Sequence, residues 1–215
     1  MRVYFDFVSP YAYVAWQMLP AIAARHGRSL VPVPVVFGAL LAEHGTLGPA
    51  EVPAKRSYLL KDVYRKAHRA AVPFVLPPTH PFNPLLALRV ASLPMDEGSR
   101  RKLVDALFTA TWGNGRGVES PEAVAHAASA GGLDGDALVR AAQAPEAKAR
   151  LRAQTDEAIA ADVFGVPTVA VDGELFWGVD SLEALDAFLE GRDPVPGELV
   201  AAWDALPSSV TRRGE

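Results

Sequence analysis

The stretch that decides the fold is "FDFVSPYAY", Phe5 to Tyr13, where an apolar strand pattern turns into a helix start at Ser9-Pro10. Serine is a favoured N-cap, and proline suits the first helical position because its missing N–H has no intrahelical partner there. Ser9-Pro10-Tyr11-Ala12 has the spacing of a Cys-Pro-Tyr-Cys redox turn with both sulfurs replaced, and the 215-residue chain contains no cysteine. A disulfide framework, a thiolate-ligated metal and a dithiol cycle of the chain's own are therefore excluded. Any thiol chemistry must use a thiol that a ligand brings.

Outward from that turn, Val3 to Val8 reads as a strand, and the helix opened by Ser9 runs to about Arg25, with Gly27 as its stop. Leu30 to Phe37 reads as a second strand, placed near an edge by Pro32 and Pro34. Such a β-α-β unit suits a parallel pair with a crossover helix. Leu60, Val63, Tyr64, Ala67 and Ala71 then follow a helical stripe. Further helical patterns cover Leu85 to Leu93, Ser99 to Trp112, Ser120 to Gly131, Asp134 to Ala144 and Pro145 to Phe164. After Gly165 the period returns to two. Thr168 to Val171 and Glu174 to Trp177 flank Asp172-Gly173, a type I′ hairpin signal. Asp180 is expected to cap a last helix, Ser181 to Leu189, with Glu183 completing a capping box. The tail from Asp193 is expected to hold a short helix near Leu199 to Leu206 and to fray at its end.

The order β-α-β, helices, β-β-α predicts an α/β, thioredoxin-like fold with a large all-helical insertion between the βαβ and ββα halves. The expected boundaries are 1–38 and 164–192 for the thioredoxin-like domain, 39–163 for the insertion and 193–215 for the tail.

Half the residues are hydrophobic, enough for a proper core without staples. No apolar run approaches the ~18–20 residues of a membrane span. Asp6 breaks the first apolar stretch, so no signal peptide is expected and a cytoplasmic location is. The net charge is −4, and the densest basic stretch, Lys61 to Lys66 with His68-Arg69 after it, contains Asp62. It reads as a solvated helix face, too weakly basic for a nucleic-acid partner. None of the five histidines pairs with another at i, i+4, so no helical metal site is expected.

Three elements carry chemistry. Ser9 is a cap, and the helix N-terminus it caps is also a ready site for an anion. Val166-Pro167-Thr168 starts a strand. In this layout such a proline is usually cis and faces the first turn, leaving the Val166 backbone open to an extended peptide. Trp177-Gly178-Val179-Asp180 leads into the last helix. Asp180 is either its cap or a partner for a ligand ammonium whose carboxylate meets the helix end.

These residues resemble the 2-hydroxychromene-2-carboxylate isomerase family, within the thioredoxin-fold disulfide-oxidoreductase superfamily that includes kappa-class glutathione transferases. The likeness is carried by "FDFVSPYAY", "PAKRSYLLKD" (Pro53 to Asp62), "HPFNPLLALR" (His80 to Arg89), "WGNGRGVES" (Trp112 to Ser120) and above all "VFGVPTVAVDGELFWGVDSLEAL" (Val163 to Leu185). It implies glutathione, or another low-molecular-weight thiol, as cofactor. Ser9 would hydrogen-bond the sulfur; Val166 and Pro167 would meet the tripeptide backbone; Trp177, Gly178, Val179 and Asp180 would hold the γ-glutamyl end. It further implies a homodimer and a small aromatic substrate, isomerised by reversible thiolate addition. Lys55, His80 and Asn83 are the candidate substrate-pocket residues.

The chain departs from the family pattern at three places. Ser181 stands where arginine is common, Phe37 to Pro53 lacks a frequent asparagine, and "KDVYRKAHRA" lacks a tryptophan. The alternatives to an isomerase are a kappa-like transferase that conjugates electrophiles and a catalytically silent binding module.

Overall fold

In the computed structural model, which describes residues 1–207, a mixed four-stranded sheet has the order β2-β1-β3-β4. β1 (Arg2–Phe5) lies parallel to β2 (Val31–Pro34), and helix α1 (Pro10–Arg25) connects them. β3 (Thr168–Val171) pairs antiparallel with β1, and β4 (Glu174–Trp177) antiparallel with β3. The two prolines of β2 lack ladder donors, and that strand is an edge. Asp172 and Gly173 both have positive φ, 49° and 92°, as the type I′ turn requires.

Both early strands are shorter than their apolar runs. β1 ends at Phe5 because Asp6 to Val8 fold into a turn, and Phe37 opens helix α2 (Phe37–Glu43) rather than closing a strand. The register Tyr4↔Thr168 sets the end of β1 beside the start of β3, so the Ser9 turn and the Val166-Pro167 step lie at the same end of the sheet.

Between the two halves run α3 (Pro53–Arg69), α4 (Leu85–Ser92), α5 (Glu97–Phe108), a π-helical turn (Thr109–Gly113), α6 (Pro121–Ala130), α7 (Gly135–Ala142) and α8 (Pro145–Ala160). Side-chain caps define several starts: Asp96, Ser120 and Asp134 accept from Ser99, Ala123 and Ala137 N–H groups at 2.9–3.2 Å. α8 stops at Ala160, short of Phe164, as the chain turns through Asp162 at φ 58°. The stripe of α3 is also rotated from expectation. Leu59, Val63 and Ala67 are buried, whereas Leu60 and Tyr64 are exposed and Ala71 lies beyond the helix. Tyr64 packs instead edge-on to Phe74 at 6.4 Å.

One aromatic core joins both parts of the chain. Phe5 and Phe7 from the end of β1, Trp16 from α1 and Phe108 from α5 are all buried, with ring centroids 4.8–6.4 Å apart. A smaller cluster covers the opposite face of the sheet, with Tyr4 and Val33 against Leu40, Ala158 and Val166. Val3 and Phe5 thus face one layer and Tyr4 the other, the alternation of a strand buried on both sides.

The C-terminal half departs from expectation at Asp180. A 3-10 turn (Val179–Ser181) precedes α9 (Leu182–Leu189), and no side chain caps either element. The Asp180–Glu183 capping box does not form, because Asp180 sits inside the turn and its carboxylate is drawn to Lys66. Helix α10 (Gly197–Asp204) lies in the tail, shifted by two residues from the expected span, with Leu199, Val200 and Trp203 exposed. The expected fraying of the chain end falls outside the described residues. Among those residues no helix is long and apolar enough to cross a membrane.

Candidate active site

Ser9 closes the turn at the end of β1. Its backbone is extended (φ −87°, ψ 113°), and its Oγ accepts from Ala12 N–H at 3.2 Å, so it is the N-cap of α1. That bond uses the oxygen as acceptor and leaves the hydroxyl hydrogen to donate. The residue is only 6% exposed, so an acceptor reaching it would do so in a largely dry setting.

The turn is held from within. Asp6 is buried, and its two carboxylate oxygens accept from Val8 N–H and Phe37 N–H at 3.0 Å each, while its carbonyl accepts from Ser9 N–H at 3.1 Å. Burial pushes the Asp6 carboxyl up to about 7, against the pull of those two donors. Trp112 Nε1–H donates to Phe7 O at 2.8 Å, and His80 Nε2 lies 3.1 Å from Val8 O. Burial, the main influence on His80, lowers its pKa and favours a neutral ring that donates from Nε2. The ring stands edge-on to Trp112 at 5.3 Å, and Arg56 donates to the His80 carbonyl at 2.8 Å. Of the three expected pocket residues, His80 therefore braces the serine turn. Asn83 is exposed and its Oδ1 accepts from Leu85 N–H at the start of α4, while Lys55 points into solvent at the start of α3.

The start of β3 supplies a second wall. The Val166-Pro167 bond is cis, and Val166 is buried. Pro167 O accepts from Gly178 N–H at 2.8 Å, and Thr168 Oγ1 donates to Gly165 O at 2.7 Å. The Val166 N–H and C=O make no hydrogen bond among the described residues. Trp177 is half exposed and lies edge-on to Phe164 at 5.2 Å. A Cβ on Gly165 would stand 2.6 Å from the Trp177 Nε1, so glycine here lets the indole lie where it does. Gly178, at φ 85°, turns the chain from β4 into the 3-10 turn.

A third group is assembled by the fold from residues far apart in the sequence. Tyr11, two residues beyond Ser9, donates its hydroxyl to Asp62 Oδ2 at 2.7 Å. Lys66 Nζ lies 2.6 Å from the same oxygen and 3.3 Å from Asp180 Oδ1. Burial opposes the charge on both Asp62 and Lys66. The mutual hydrogen bonds outweigh it, holding Asp62 below and Lys66 above their ordinary ranges. Burial and Asp62 push the Tyr11 phenol up, keeping it a donor. The basic stretch of α3 is thus not wholly a solvated face. The i, i+4 spacing of Asp62 and Lys66 was the available signal, but nothing local announced that the pair turns toward Tyr11 and Asp180.

Other groupings lie elsewhere. His26, Asp186 and Glu190 bring ligand-type atoms within 4.8 Å of one another, yet Arg25 and His26 each already meet Asp186 at 2.7 Å. Two surface depressions of about 390 and 370 Å³ lie among the insertion helices, one beside Met95 and Leu133 and one beside Lys102 and His126. Neither includes Ser9.

Comparison with known proteins agrees with this architecture. Residues 1–190 match the DSBA-like thioredoxin domain. A 2-hydroxychromene-2-carboxylate isomerase from Pseudomonas sp. (strain C18) is 30% identical over 198 residues, covering 91% of this chain and 92% of the relative. Glutathione S-transferase kappa 1 of Rattus norvegicus is 25% identical, covering 94% and 96%. A solved 2-hydroxychromene-2-carboxylate isomerase structure superposes with a TM-score of 0.78 at 28% identity, over 96% of this chain and 98% of that one. The chain belongs to the DSBA-like thioredoxin family and, within it, to the 2-hydroxychromene-2-carboxylate isomerases.

Proposed function

We propose that the protein is a glutathione-dependent cis-trans isomerase acting on a conjugated aromatic oxo-acid of the 2-hydroxychromene-2-carboxylate type. The observation that carries the reading is the free hydroxyl hydrogen of Ser9, held at the N-terminus of α1 in a chain with no thiol of its own. Three features fit a tripeptide thiol. Ser9 offers a donor for sulfur, the unpaired Val166 backbone offers a strand-like partner, and Asp180 offers an open carboxylate for an ammonium. Glutathione, when bound, supplies a thiolate that adds to the conjugated double bond and leaves again after rotation, so no thiol is consumed.

The residues account for the energetics. A free thiol has a pKa near ~8.5, and lowering it by about two units requires roughly 2.7 kcal/mol of preference for the anion. A hydroxyl hydrogen bond to a charged group supplies about 1.5–3 kcal/mol, and a helix N-terminus roughly 0.3–1 more. Serine cannot trap the sulfur as a disulfide, and Ala12 removes any resolving cysteine. The thiolate therefore stays free for addition and elimination.

The test is ultraviolet thiolate absorbance during glutathione titration, followed by turnover of a hydroxybenzylidene-pyruvate. Ser9→Ala is expected to abolish the absorbance and lower kcat roughly 10- to 100-fold. Unchanged kinetics would remove Ser9 from the mechanism. The rat kappa-class relative supports a second reading, conjugation of glutathione to an electrophile. Product that retains the thiol would decide for it. We further propose a cytoplasmic homodimer; a monomeric mass in sedimentation would refute the dimer.

A further inference from the structure

The ion pair between Lys66 and Asp180 is placed oddly for a structural one. Lys66 is well shielded, its side chain 16% exposed, while that of Asp180 is 83% exposed. An ion pair with one partner this exposed contributes little to stability, yet its lysine is firmly anchored. Asp62 Oδ2 accepts from both Tyr11 and Lys66, so the lysine is anchored to the first turn of α1, two residues from Ser9. The aliphatic stem also brings Nζ to 5.7 Å from the centre of the Tyr11 ring.

The anchoring leaves unused valences at the solvent side. Lys66 Nζ has three N–H donors, and Asp62 and Asp180 take two. Asp180 Oδ2 has no partner among the described residues. The turn thus presents one cationic donor and one anionic acceptor, on groups 3.3 Å apart. An α-amino acid head presents the opposite pair, an ammonium and a carboxylate about 3 Å apart on one carbon. Docked head to tail, the four groups form a closed ring of alternating charge.

The backbone at this turn offers the carboxylate neutral donors only, the Val179 and Asp180 N–H groups, which make no hydrogen bond among the described residues. The 3-10 turn of Val179–Ser181 has only three residues, and Ser181 gives both its N–H (3.4 Å) and its Oγ–H (2.8 Å) to Gly178 O. We propose that Lys66, positioned by Asp62 and Tyr11, is the residue that binds the α-carboxylate of the γ-glutamyl head, with Asp180 taking its ammonium. The pair makes the site selective for thiols that carry an intact α-amino acid. This inference rests on the reading of the Ser9 site as a glutathione site.

The test is calorimetric binding of three thiols: glutathione, its analogue without the α-carboxylate (4-aminobutanoyl-Cys-Gly) and its analogue without the amine (glutaryl-Cys-Gly). The native protein is expected to prefer glutathione to each analogue by about tenfold or more. Lys66→Met should erase the preference over 4-aminobutanoyl-Cys-Gly while keeping that over glutaryl-Cys-Gly. It should also raise the KM for glutathione at nearly constant kcat. Lys66→Arg should restore the lost preference. Because Lys66→Met leaves Asp62 without its counter-ion, the double variant Asp62→Asn/Lys66→Met serves as a second probe and should discriminate in the same way. A Lys66→Met or double variant that still prefers glutathione over 4-aminobutanoyl-Cys-Gly overturns the inference but leaves the glutathione site standing. Absence of glutathione binding in the native protein overturns both.

Discussion

The Asp6–Ser9 turn and the Gly178–Ser181 turn both contribute to the proposed site, and they are built in opposite ways. The first is secured from beneath: Asp6 binds two backbone N–H groups, Trp112 and His80 hold the Phe7 and Val8 carbonyls, and all three side chains are buried or half-buried. The second is secured locally, by Gly178 N–H to Pro167 O and by Ser181 folding back on Gly178 O, and its one charged side chain faces solvent. A turn that must hold one hydroxyl in a fixed direction benefits from over-determination. A turn that meets a charged ligand head benefits from leaving its valences open.

The sharpest way to break this contrast is Asp6→Ala. It leaves the Val8 and Phe37 N–H groups without their acceptor in a dry interior, at about 1–3 kcal/mol each. The loss carries a pH signature. The Asp6 carboxyl is raised from 3.8 to about 7 in the fold, so the folded chain binds the extra proton between those values. Its contribution is full below about 4 and is lost as pH rises through about 7, on the order of 4 kcal/mol in all. His80, whose pKa is lowered, works in the opposite direction, losing stability as pH falls below 6.5, so the variant must be compared with the native protein. Urea melts from pH 4 to 8 should therefore show Asp6→Ala most damaging at the acid end and least at the alkaline end. A difference that does not change with pH would place the Asp6 ionisation elsewhere.

Trp112→Phe tests the same turn more gently. It keeps a ring against Phe74, stacked at 5.7 Å, but removes the donor to Phe7 O. The expected loss is about 1–2 kcal/mol in urea unfolding, with a fall in kcat beyond what a stability loss alone would give. An unchanged kcat would mean that the serine turn keeps its shape without this brace.

The same contrast separates what could be read from the sequence. The Ser9 cap, the Asp172-Gly173 hairpin and the β2 edge were legible because each depends on neighbours a few residues away. The thioredoxin-like layout with its helical insertion followed from their order. The role of Asp6 was not, since an acid in an apolar strand looks like an interruption until Phe37 is known to fold back on it. Asp180 misled for the converse reason. Its spacing to Glu183 fits a capping box, but Lys66, 114 positions earlier in the chain, offers the carboxylate a better partner. Lys55 and Asn83 were placed by likeness of motif, and the fold turns them to solvent and to a helix start.

The smallest stability effect belongs to the open turn. Asp180→Asn removes one partner of a largely exposed ion pair, so unfolding free energy should move by no more than about 0.5 kcal/mol. Lys66 keeps Asp62, so no buried charge is stranded. The same variant removes the acceptor for a ligand ammonium, and the glutathione Kd should rise about tenfold or more. Calorimetric binding and urea melts on one preparation give both numbers. A stability loss as large as that of Trp112→Phe, without weakened binding, would show that the Asp180 turn is braced like the Ser9 turn and is not a receiving surface.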